Sequence, residues 1–557
     1  MFCWRYPYTL HNFKSSILFY GIDLPARNLY FGMNPFKYDP STNSLKEPRI
    51  SRYFNYLKSH RVFIFAPLVI LLVITTYVWL ISFGSWSKWP VTSIYYDQLA
   101  TAFEHGSLSL EIKPNPGLLA LPDPYDPSAR AGLNYPKDVS LYKGKYYLYF
   151  GPVPALILSI FKRMGLLIKF GDQYIVFVFV SGIFIFQSLL ILKIWKRFFQ
   201  NVPVWIILMC ILFSGLISPF TWILAQARIY EAAVAAGQFF FLVGFYFIIV
   251  ALEQKFAAKK NFFFFIGGIS WTLAIGSRLT QILPIGFVTL IVAYLTIRTY
   301  RQTKEWLKAI FAMELLGGPL VLGIAVLARY NWARFHSVFE SGLSYQLAGS
   351  ADLQRYSHFL FSPLYILPNL YGYLAMPPQL NGTFPFLESV PGTGASIFSF
   401  IALPNIYYNN VLTGLLFSAP FVLFAGICII AFMPKKINRM SSAGRDDDLS
   451  LFKGLMIGLL GSFVFGFASL VSFFWVAAHY QIDYVPSIVI LSIIGFWQGY
   501  GFLTHKPTIR KLYVAAGMIL MVTSIVISIL LVLSAHTAQF QKFNPVLWND
   551  LVRLFSR

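Results

Sequence analysis

Charge and cysteine are both scarce in this sequence of 557 residues. Asp, Glu, Lys and Arg make up 12% of it, against about 25% in a soluble domain, while 57% of the residues are hydrophobic. This deficit excludes a cytosolic enzyme, a disordered tail and a nucleic-acid-binding protein. The three cysteines lie far apart, at Cys3, Cys210 and Cys428. Their spacing excludes a disulfide framework and a metal-binding cysteine motif.

Long apolar windows account for the missing charge. Crossing the hydrocarbon core of a bilayer takes about 20 mostly apolar residues, and the sequence contains eleven such windows. They lie near residues 62–83, 173–192, 203–222, 229–251, 262–279, 281–297, 309–328, 411–433, 454–475, 480–502 and 512–534. The sequence therefore predicts an all-α polytopic membrane protein with about 11–13 transmembrane helices and extended extracytoplasmic loops.

Basic clusters between the windows predict the orientation. The net charge is +22, from 44 basic and 22 acidic residues, and cytoplasmic loops are enriched in Lys and Arg. The main basic clusters all fall inside if residues 151–160 form a juxtamembrane segment that does not cross the bilayer. Lys162 and Arg163 favour a crossing there. We adopt the first interpretation, in which the N-terminus lies inside and the C-terminus outside.

Five regions follow one another along the chain. They are a basic cytoplasmic tail (1–61), a transmembrane module with an outer loop at 84–150 (62–328), a second large outer loop (329–410), C-terminal transmembrane helices (411–534) and a C-terminal tail (535–557). The first outer loop is expected to carry juxtamembrane helices. Within it, a Lys-Gly turn between the aromatic-rich runs of residues 139–150 predicts a small β-hairpin. The alternative is an interfacial aromatic belt.

The few acidic residues near the membrane are the best candidates for functional residues, because an ionisable group there is costly and is usually kept for function. Asp97 follows the first window by about a dozen residues; it is either a functional carboxylate or the N-cap of a short helix. Glu231 begins a later window, three residues after Arg228. It is either functional or an acid favoured by the helix dipole. Glu314 lies inside a window and receives no role.

Three further polar residues lie at predicted outer turns. Arg278 separates two windows; Arg recognises phosphate in a bidentate manner, although a snorkelling anchor is the alternative. His479 and Asp483 are four residues apart and would share a helix face. Two ligands are few for a metal, so we expect a structural polar contact between them.

In order and type, these motifs resemble those of the GT-C superfamily of polytopic glycosyltransferases, which use polyprenyl-phosphate-linked sugars. The resemblance includes the protein O-mannosyltransferase and lipid A aminoarabinose transferase branches and covers roughly residues 60–300 in layout. Its marks are Tyr-Tyr-Asp-Gln at Asp97, the hairpin leading into Phe150-Gly151-Pro152, Arg-x-Tyr-Glu at Arg228 to Glu231, Gly276 to Thr280, Gly414 to Pro420, and His479 to Pro486. No single motif is specific, and their order carries the resemblance.

Two departures from the family pattern bear on the site. Members often have two adjacent acids after the first span, whereas Asp97 is flanked by Tyr96 and Gln98. A bound divalent metal therefore stays an open alternative, and no cofactor is assigned. Related chains have Arg-Tyr where this one has His479-Tyr480, which makes a phosphate contact there weaker and dependent on pH.

Sugar transfer from a lipid phosphate needs a base for the acceptor proton and positive charge for the departing phosphate. We predict Asp97 as the base, with Glu231 positioning the acceptor or a metal. Arg228 and Arg278 would hold the donor phosphate, with Lys145 as a lesser candidate and His479 and Asp483 as secondary site residues. The sequence lacks the Gly-x-x-x-x-Gly-Lys-Ser/Thr nucleotide-binding pattern, and such a transferase needs none.

The resemblance implies a protein of the bacterial inner membrane with its active site on the extracytoplasmic face. The residues 62–328 would then form the catalytic module. Its partners would be a polyprenyl-phosphate-sugar donor, a glycan, lipid or protein acceptor and the lipid bilayer, with no nucleic acid. A transporter or lipid flippase is the alternative, but it would place charged residues deep within several windows, and the sequence has few. A non-catalytic membrane scaffold is the third candidate.

Overall fold

A computed structural model describes residues 49–166, 169–349, 351–431, 446–534 and 539–555. The chain divides into two compact units, Met1–Leu57 and Lys58–Arg557. Most of the predicted cytoplasmic tail, residues 1–48, lies outside the described ranges. The account below concerns the second unit, together with the helix that begins at Arg49.

The first third of the described chain holds one long helix and a loop with short elements. In order, these are α1 (Arg49–Ile81), α2 (Tyr95–Glu104), α3 (Pro116–Leu119), β1 (Ser140–Tyr142), β2 (Lys145–Tyr147) and α4 (Val153–Arg163). Seven helices follow: α5 (Asp172–Phe198), α6 (Val204–Leu216), α7 (Phe220–Ala225), α8 (Ile229–Glu253), α9 (Ala257–Ser277), α10 (Ile282–Thr303) and α11 (Trp306–Phe335).

Short elements occupy most of the segment between α11 and the last long helices. They are α12 (Ile366–Leu370), β3 (Gln379–Leu380), β4 (Leu387–Glu388), β5 (Val390–Pro391), α13 (Gly394–Ile397), β6 (Tyr408–Asn409), β7 (Val411–Leu412), α14 (Leu415–Ser418) and α15 (Ala425–Ala431). The chain ends with α16 (Asp446–Val471), β8 (Trp475–Val476), α17 (Val485–Phe502), α18 (Pro507–Leu533), α19 (Gln539–Phe543) and α20 (Pro545–Phe555).

The predominance of helix confirms the predicted all-α polytopic class. Within the described ranges, eight helical stretches are long and apolar enough to cross a membrane, and they coincide with eight of the eleven predicted windows. The other three predicted windows do not form helices that are long and apolar enough to cross a membrane, and each has a physical reason. The window at 203–222 is broken between α6 and α7, and the window at 411–433 is divided among short elements. The third corresponds to α9, which begins with a polar turn containing Lys259 and Lys260.

The first outer loop contains the predicted hairpin. Strands β1 and β2 pair antiparallel, with Leu141 opposite Tyr146, and Lys143 and Gly144 form the turn with φ of 47° and 71°. Positive φ at both turn residues matches the right-handed twist of a hairpin. Helix α4 has 11 residues and is about 16 Å long. It is too short to cross a bilayer, in agreement with the non-crossing interpretation.

The alternative role of Asp97 as a helix N-cap is wrong. Asp97 is the third residue of α2, and the N-cap position belongs to Ile94, whose side chain has no capping oxygen. The carboxylate of Asp172 takes this function instead, because it accepts hydrogen bonds from the backbone N–H groups of Tyr95 and Tyr96 at 3.1 and 3.2 Å. The cap comes from a residue distant in sequence, which local spacing does not reveal.

Helices α8 and α9 pack closely at the centre of the core. A Cβ added to Gly244 would lie 2.4 Å from the Trp271 ring, so the glycine allows the indole to pack against the backbone of α8. The Trp271 indole also donates a hydrogen bond to the carbonyl of Phe241 at 3.1 Å. This pairing fixes the end of α9, where Arg278 lies, against the start of α8, where Glu231 lies.

Candidate functional site

A cavity of about 360 Å³ lies at the end of the bundle where α8, α10 and α17 begin. Its walls come from the segment after the hairpin, the start of α8, the α9–α10 junction, the loop after α11 and the segment after α16. Most of its large side chains are aromatic, namely Tyr149, Phe150, Tyr230, Phe339, Phe361, Phe473, Phe474, Trp475 and Tyr480. The volume lies in the range of small-molecule sites, about 300–1,000 Å³.

Close backbone packing builds one wall of this cavity. Gly151, which follows the hairpin, approaches the end of α9 so tightly that an added Cβ would lie 2.2 Å from the carbonyl oxygen of Gly276. Only glycine fits at this contact. The motif Phe150-Gly151-Pro152 therefore joins the first outer loop to the turn that carries Arg278, and both segments line the cavity.

Arg278 is the basic residue that lines the cavity. Its Nε donates to both carboxylate oxygens of Asp483, at 2.7 and 3.0 Å, although the two residues are 205 positions apart. Burial opposes the guanidinium charge, but Asp483 and Tyr480 more than offset this effect and raise the pKa of Arg278. Within the described ranges, neither terminal nitrogen of Arg278 meets a protein acceptor. Both stay available to a ligand in the cavity.

Neighbouring groups hold the ion pair in place. Thr280 and Gln281 each donate a hydrogen bond to Asp483 at 3.2 Å, and the guanidinium lies 4.9 Å from the centre of the Tyr480 ring. Buried ionic groups are favourable only when additional hydrogen bonds satisfy them. The carboxylate of Asp483 is therefore satisfied on both oxygens and orients Arg278 rigidly.

Glu231 and His479 form a second polar pair beside the cavity. One oxygen of Glu231 accepts from the backbone N–H of Arg228 at 3.2 Å, which satisfies a free donor at the start of α8. The other oxygen lies 3.4 Å from Nδ1 of His479. Burial, together with the charges of Arg278 and Arg228, lowers the pKa of His479 to about 3. The imidazole is therefore neutral at physiological pH.

The expected contact between His479 and Asp483 is absent within the described structure. Residues 478–483 form a 3₁₀-helix, in which each residue turns by about 120°, so that positions three apart share a face and positions four apart do not. His479 consequently faces Glu231 while Asp483 faces Arg278. The expectation of a contact four residues apart assumed the period of an α-helix, which does not apply to this 3₁₀ segment.

A third polar group was missed by the sequence analysis. The side-chain amide of Gln346 donates to Asp138 and Tyr149 at 3.4 Å and to Tyr230 at 3.5 Å. Gln346 and both tyrosines line the cavity. Burial raises the pKa of Asp138, which precedes β1 with a φ of 60°. The sequence signal available was Asp138 itself, an acid directly before the predicted hairpin.

The structure places Asp97 apart from the residues that line the cavity. Its carboxylate is 2.9 Å from Nζ of Lys162 on α4 and accepts from the backbone N–H of Phe170 at 3.1 Å. The link to the cavity is indirect, because the hydroxyl of Tyr96 donates to the carbonyl of Gly151 at 3.4 Å. Asp97 and Glu231 therefore have separate partners.

The remaining candidates occupy more exposed positions. Lys145 is exposed on β2 and does not line the cavity. Arg228 is half-buried and donates to Gln226 at 3.0 Å. Among the residues that the structure describes, no group of three or more His, Cys, Asp or Glu side chains is placed to hold a metal ion. Glu231, which was predicted to position the acceptor or a metal, faces His479, and the predicted base Asp97 faces Lys162.

Comparisons with known proteins return structural similarity at low identity. No protein-family model matches the sequence, and no curated protein does. The apo oligosaccharyltransferase of Archaeoglobus fulgidus is 13% identical, with a TM-score of 0.42 over 84% of this chain. ArnT from Cupriavidus metallidurans bound to undecaprenyl phosphate is 11% identical, with a TM-score of 0.36. This match covers 87% of the present chain and 77% of the ArnT chain. The chain spans 55% of the archaeal enzyme's length.

At these identities and TM-scores, function has to be inferred from the site itself.

Proposed function

We propose that this protein is a membrane glycosyltransferase that moves a sugar from a polyprenyl-phosphate donor to an acceptor on the extracytoplasmic side. The observation that carries the proposal is the orientation of Arg278. Asp483 binds Nε and leaves the two terminal nitrogens free of protein acceptors within the described ranges. A planar pair of donors of this kind matches the oxygens of a phosphate.

The cavity next to Arg278 suits the sugar of such a donor. Tyr230, Trp475 and Tyr480 present aromatic surfaces around it, and such rings pack against the apolar faces of pyranoses while their polar edges bind hydroxyl groups. The Gln346 amide and the Tyr149 hydroxyl, which also line the cavity, add groups that form hydrogen bonds. Phosphate and sugar would therefore occupy adjoining parts of one site.

Apolar side chains at the edge of this cavity suit the lipid tail of the donor. Three apolar side chains line it and are at the same time exposed, namely Leu279, Phe339 and Phe361. Leu279 is the first residue of a stretch that is apolar enough to cross a membrane. A polyprenyl chain leaving past these residues would stay in lipid while its headgroup reaches Arg278.

The chemical step moves one proton and one electron pair. The acceptor oxygen bonds to the anomeric carbon, the bond from that carbon to the phosphate oxygen breaks with its electrons left on the phosphate, and the acceptor proton passes to a carboxylate. Arg278 would stabilise the negative charge that develops on the phosphate. Asp97 stays the predicted base, although it does not line this cavity and is paired with Lys162, and Glu231 stays the predicted residue that positions the acceptor.

The test uses the purified full-length chain in lipid nanodiscs with polyprenyl-phosphate-linked sugars as donors. Mass spectrometry would detect released polyprenyl phosphate and an acceptor heavier by one sugar. Arg278→Gln should reduce this transfer, whereas Arg510→Gln, at the opposite end of the bundle, should not. Movement of an intact lipid-linked sugar across liposomes without a covalent product would favour the transporter and refute the proposal.

A further inference from the structure

The membrane-spanning stretch α11 is unusually exposed. Only 11% of its most apolar part is buried, against 61% for α5 and 72% for α8. Together with α10 it forms a groove of about 580 Å³, lined by Ile297 on α10 and by residues between Trp306 and Gly318 on α11. The groove lies near the end of α10 and the start of α11, whereas the cavity that contains Arg278 lies at the other end of these two helices.

An unpaired carboxylate lies in this groove. Glu314 is the ninth residue of α11, about 12 Å from its first residue. Its side chain is exposed, and it has no hydrogen bond or ion pair within the described ranges. A charged group at such a depth is costly in lipid and is normally found next to a partner.

An unpaired cation lies at a similar depth on the adjacent helix. Arg298 is five residues before the end of α10, about 8 Å from it. Only Lys304 and Glu305 connect α10 to α11, so the end of α10 and the start of α11 lie at about the same depth in the membrane. Arg298 is exposed and also lacks a partner in the described part of the chain. It follows the groove residue Ile297, and the spacing of Tyr294, Ile297 and Arg298 defines one exposed face of α10.

We propose that this face binds a second copy of the chain, so that Glu314 pairs with Arg298 of the partner subunit, and Arg298 with the partner's Glu314. The two charges on one chain differ in depth by about 4 Å, a difference that two long side chains can span, and they do not pair with each other within the described ranges. A twofold axis along the membrane normal keeps each helix at its own depth and brings α10 of one copy against α11 of the other. Such an interface is self-complementary and forms both ion pairs at once.

The shape of the groove fits a helix as its occupant. A Cβ added at Gly317 or Gly318 would meet nothing within 4 Å, so both glycines face open space. Small residues allow transmembrane backbones to approach closely, and packing and polar contacts drive helix association in lipid. The dimer is independent of the proposed enzymatic function, since it involves none of the cavity residues.

Charge exchange tests the proposal. The mass of the full-length chain in nanodiscs or mild detergent, measured by light scattering, should correspond to a dimer. Glu314→Arg and Arg298→Glu should each give a monomer, and the double variant that exchanges both charges should restore the dimer. Lys511→Glu makes the same charge change on another helix and should leave the dimer intact. A monomeric wild-type protein, or a double variant that stays monomeric, would overturn the pairing.

Cross-linking in native membranes tests the interface without detergent and with minimal change to folding. Gly317→Cys in a Cys3→Ser background, where Cys210 and Cys428 are buried, should give a covalent dimer with a short bifunctional thiol reagent. Val326→Cys is the matched control, because it is exposed on the same helix but is rotated by about 180° from residue 317. Equal cross-linking at both positions, or at neither, would contradict the proposed face.

Discussion

The ion pair between Arg278 and Asp483 offers the sharpest test of how this site works, because stability and activity should respond differently to its removal. Asp483→Asn leaves the guanidinium without its counter-charge, and Arg278→Met leaves the carboxylate buried and unpaired. Breaking a buried pair from one side costs about 3–5 kcal/mol, whereas replacing both charges is often nearly neutral. In the wild-type protein, Thr280 and Gln281 each donate a hydrogen bond to Asp483 at 3.2 Å. The asparagine at position 483 of the double variant keeps one side-chain oxygen that can accept a hydrogen bond from one of them.

Unfolding free energies of the four proteins in mixed micelles should therefore be strongly non-additive. Each single variant is expected to lose about 3 kcal/mol or more, and the double variant much less than their sum. Sugar transfer should follow a different pattern. A hydrogen bond to a charged group contributes about 1.5–3 kcal/mol, so the loss of Arg278 should lower kcat/KM by about 10- to 150-fold.

The double variant distinguishes the two roles of the pair. We expect it to be nearly as stable as the wild type but to transfer sugar as poorly as Arg278→Met alone. If both single variants are as stable as the wild type, the pair does not organise the site. If the double variant transfers sugar at the wild-type rate, Arg278 does not bind the donor phosphate.

Three further predictions concern the carboxylates and the histidine around the site. If Asp97 is the base, Asp97→Asn should lose about 10²-fold or more in transfer rate, whereas Lys162→Met should retain most of it; equal losses would assign Asp97 a structural role. The pKa of His479 is lowered from 6.5 to about 3, so the unfolded chain binds more protons between these values. Stability should therefore fall as the pH drops from 6.5 towards 3, and titrated unfolding of His479→Asn should lack this loss. Burial raises the pKa of Asp138 above 3.8, so stability should decline as the pH rises through the raised value. The same titration of Asp138→Asn should not show that decline.

Several local elements could be predicted because short-range rules decide them. The Lys143-Gly144 turn was predicted from its position between two aromatic-rich runs, and residues 151–160 were assigned as a non-crossing segment because this places the main basic clusters of the chain on the inside. The number of spans was less secure. Composition does not show that Pro203 and Pro219 flank a 13-residue α6, because a window average is insensitive to breaks in the backbone.

The site was predicted only in part. Arg278, Glu231, His479 and Asp483 were all chosen from the sequence as polar residues at predicted outer turns, but their pairings were not. Gln346 escaped notice, because glutamine in a loop has no distinguishing local signal. Its role depends on the hairpin and α8 meeting in space.

By itself, the sequence determined that this chain is a bundle of membrane helices with polar residues at one end, because lipid requires every backbone group to be bonded within the helix and leaves the scarce charges few places to lie. Only the tertiary structure decided which charges meet. It paired Arg278 with Asp483, 205 positions away, and Asp97 with Lys162. Such contacts depend on how α2, α4, α9 and the segment before α17 pack, and close packing over long chain separations has no signature in local periodicity.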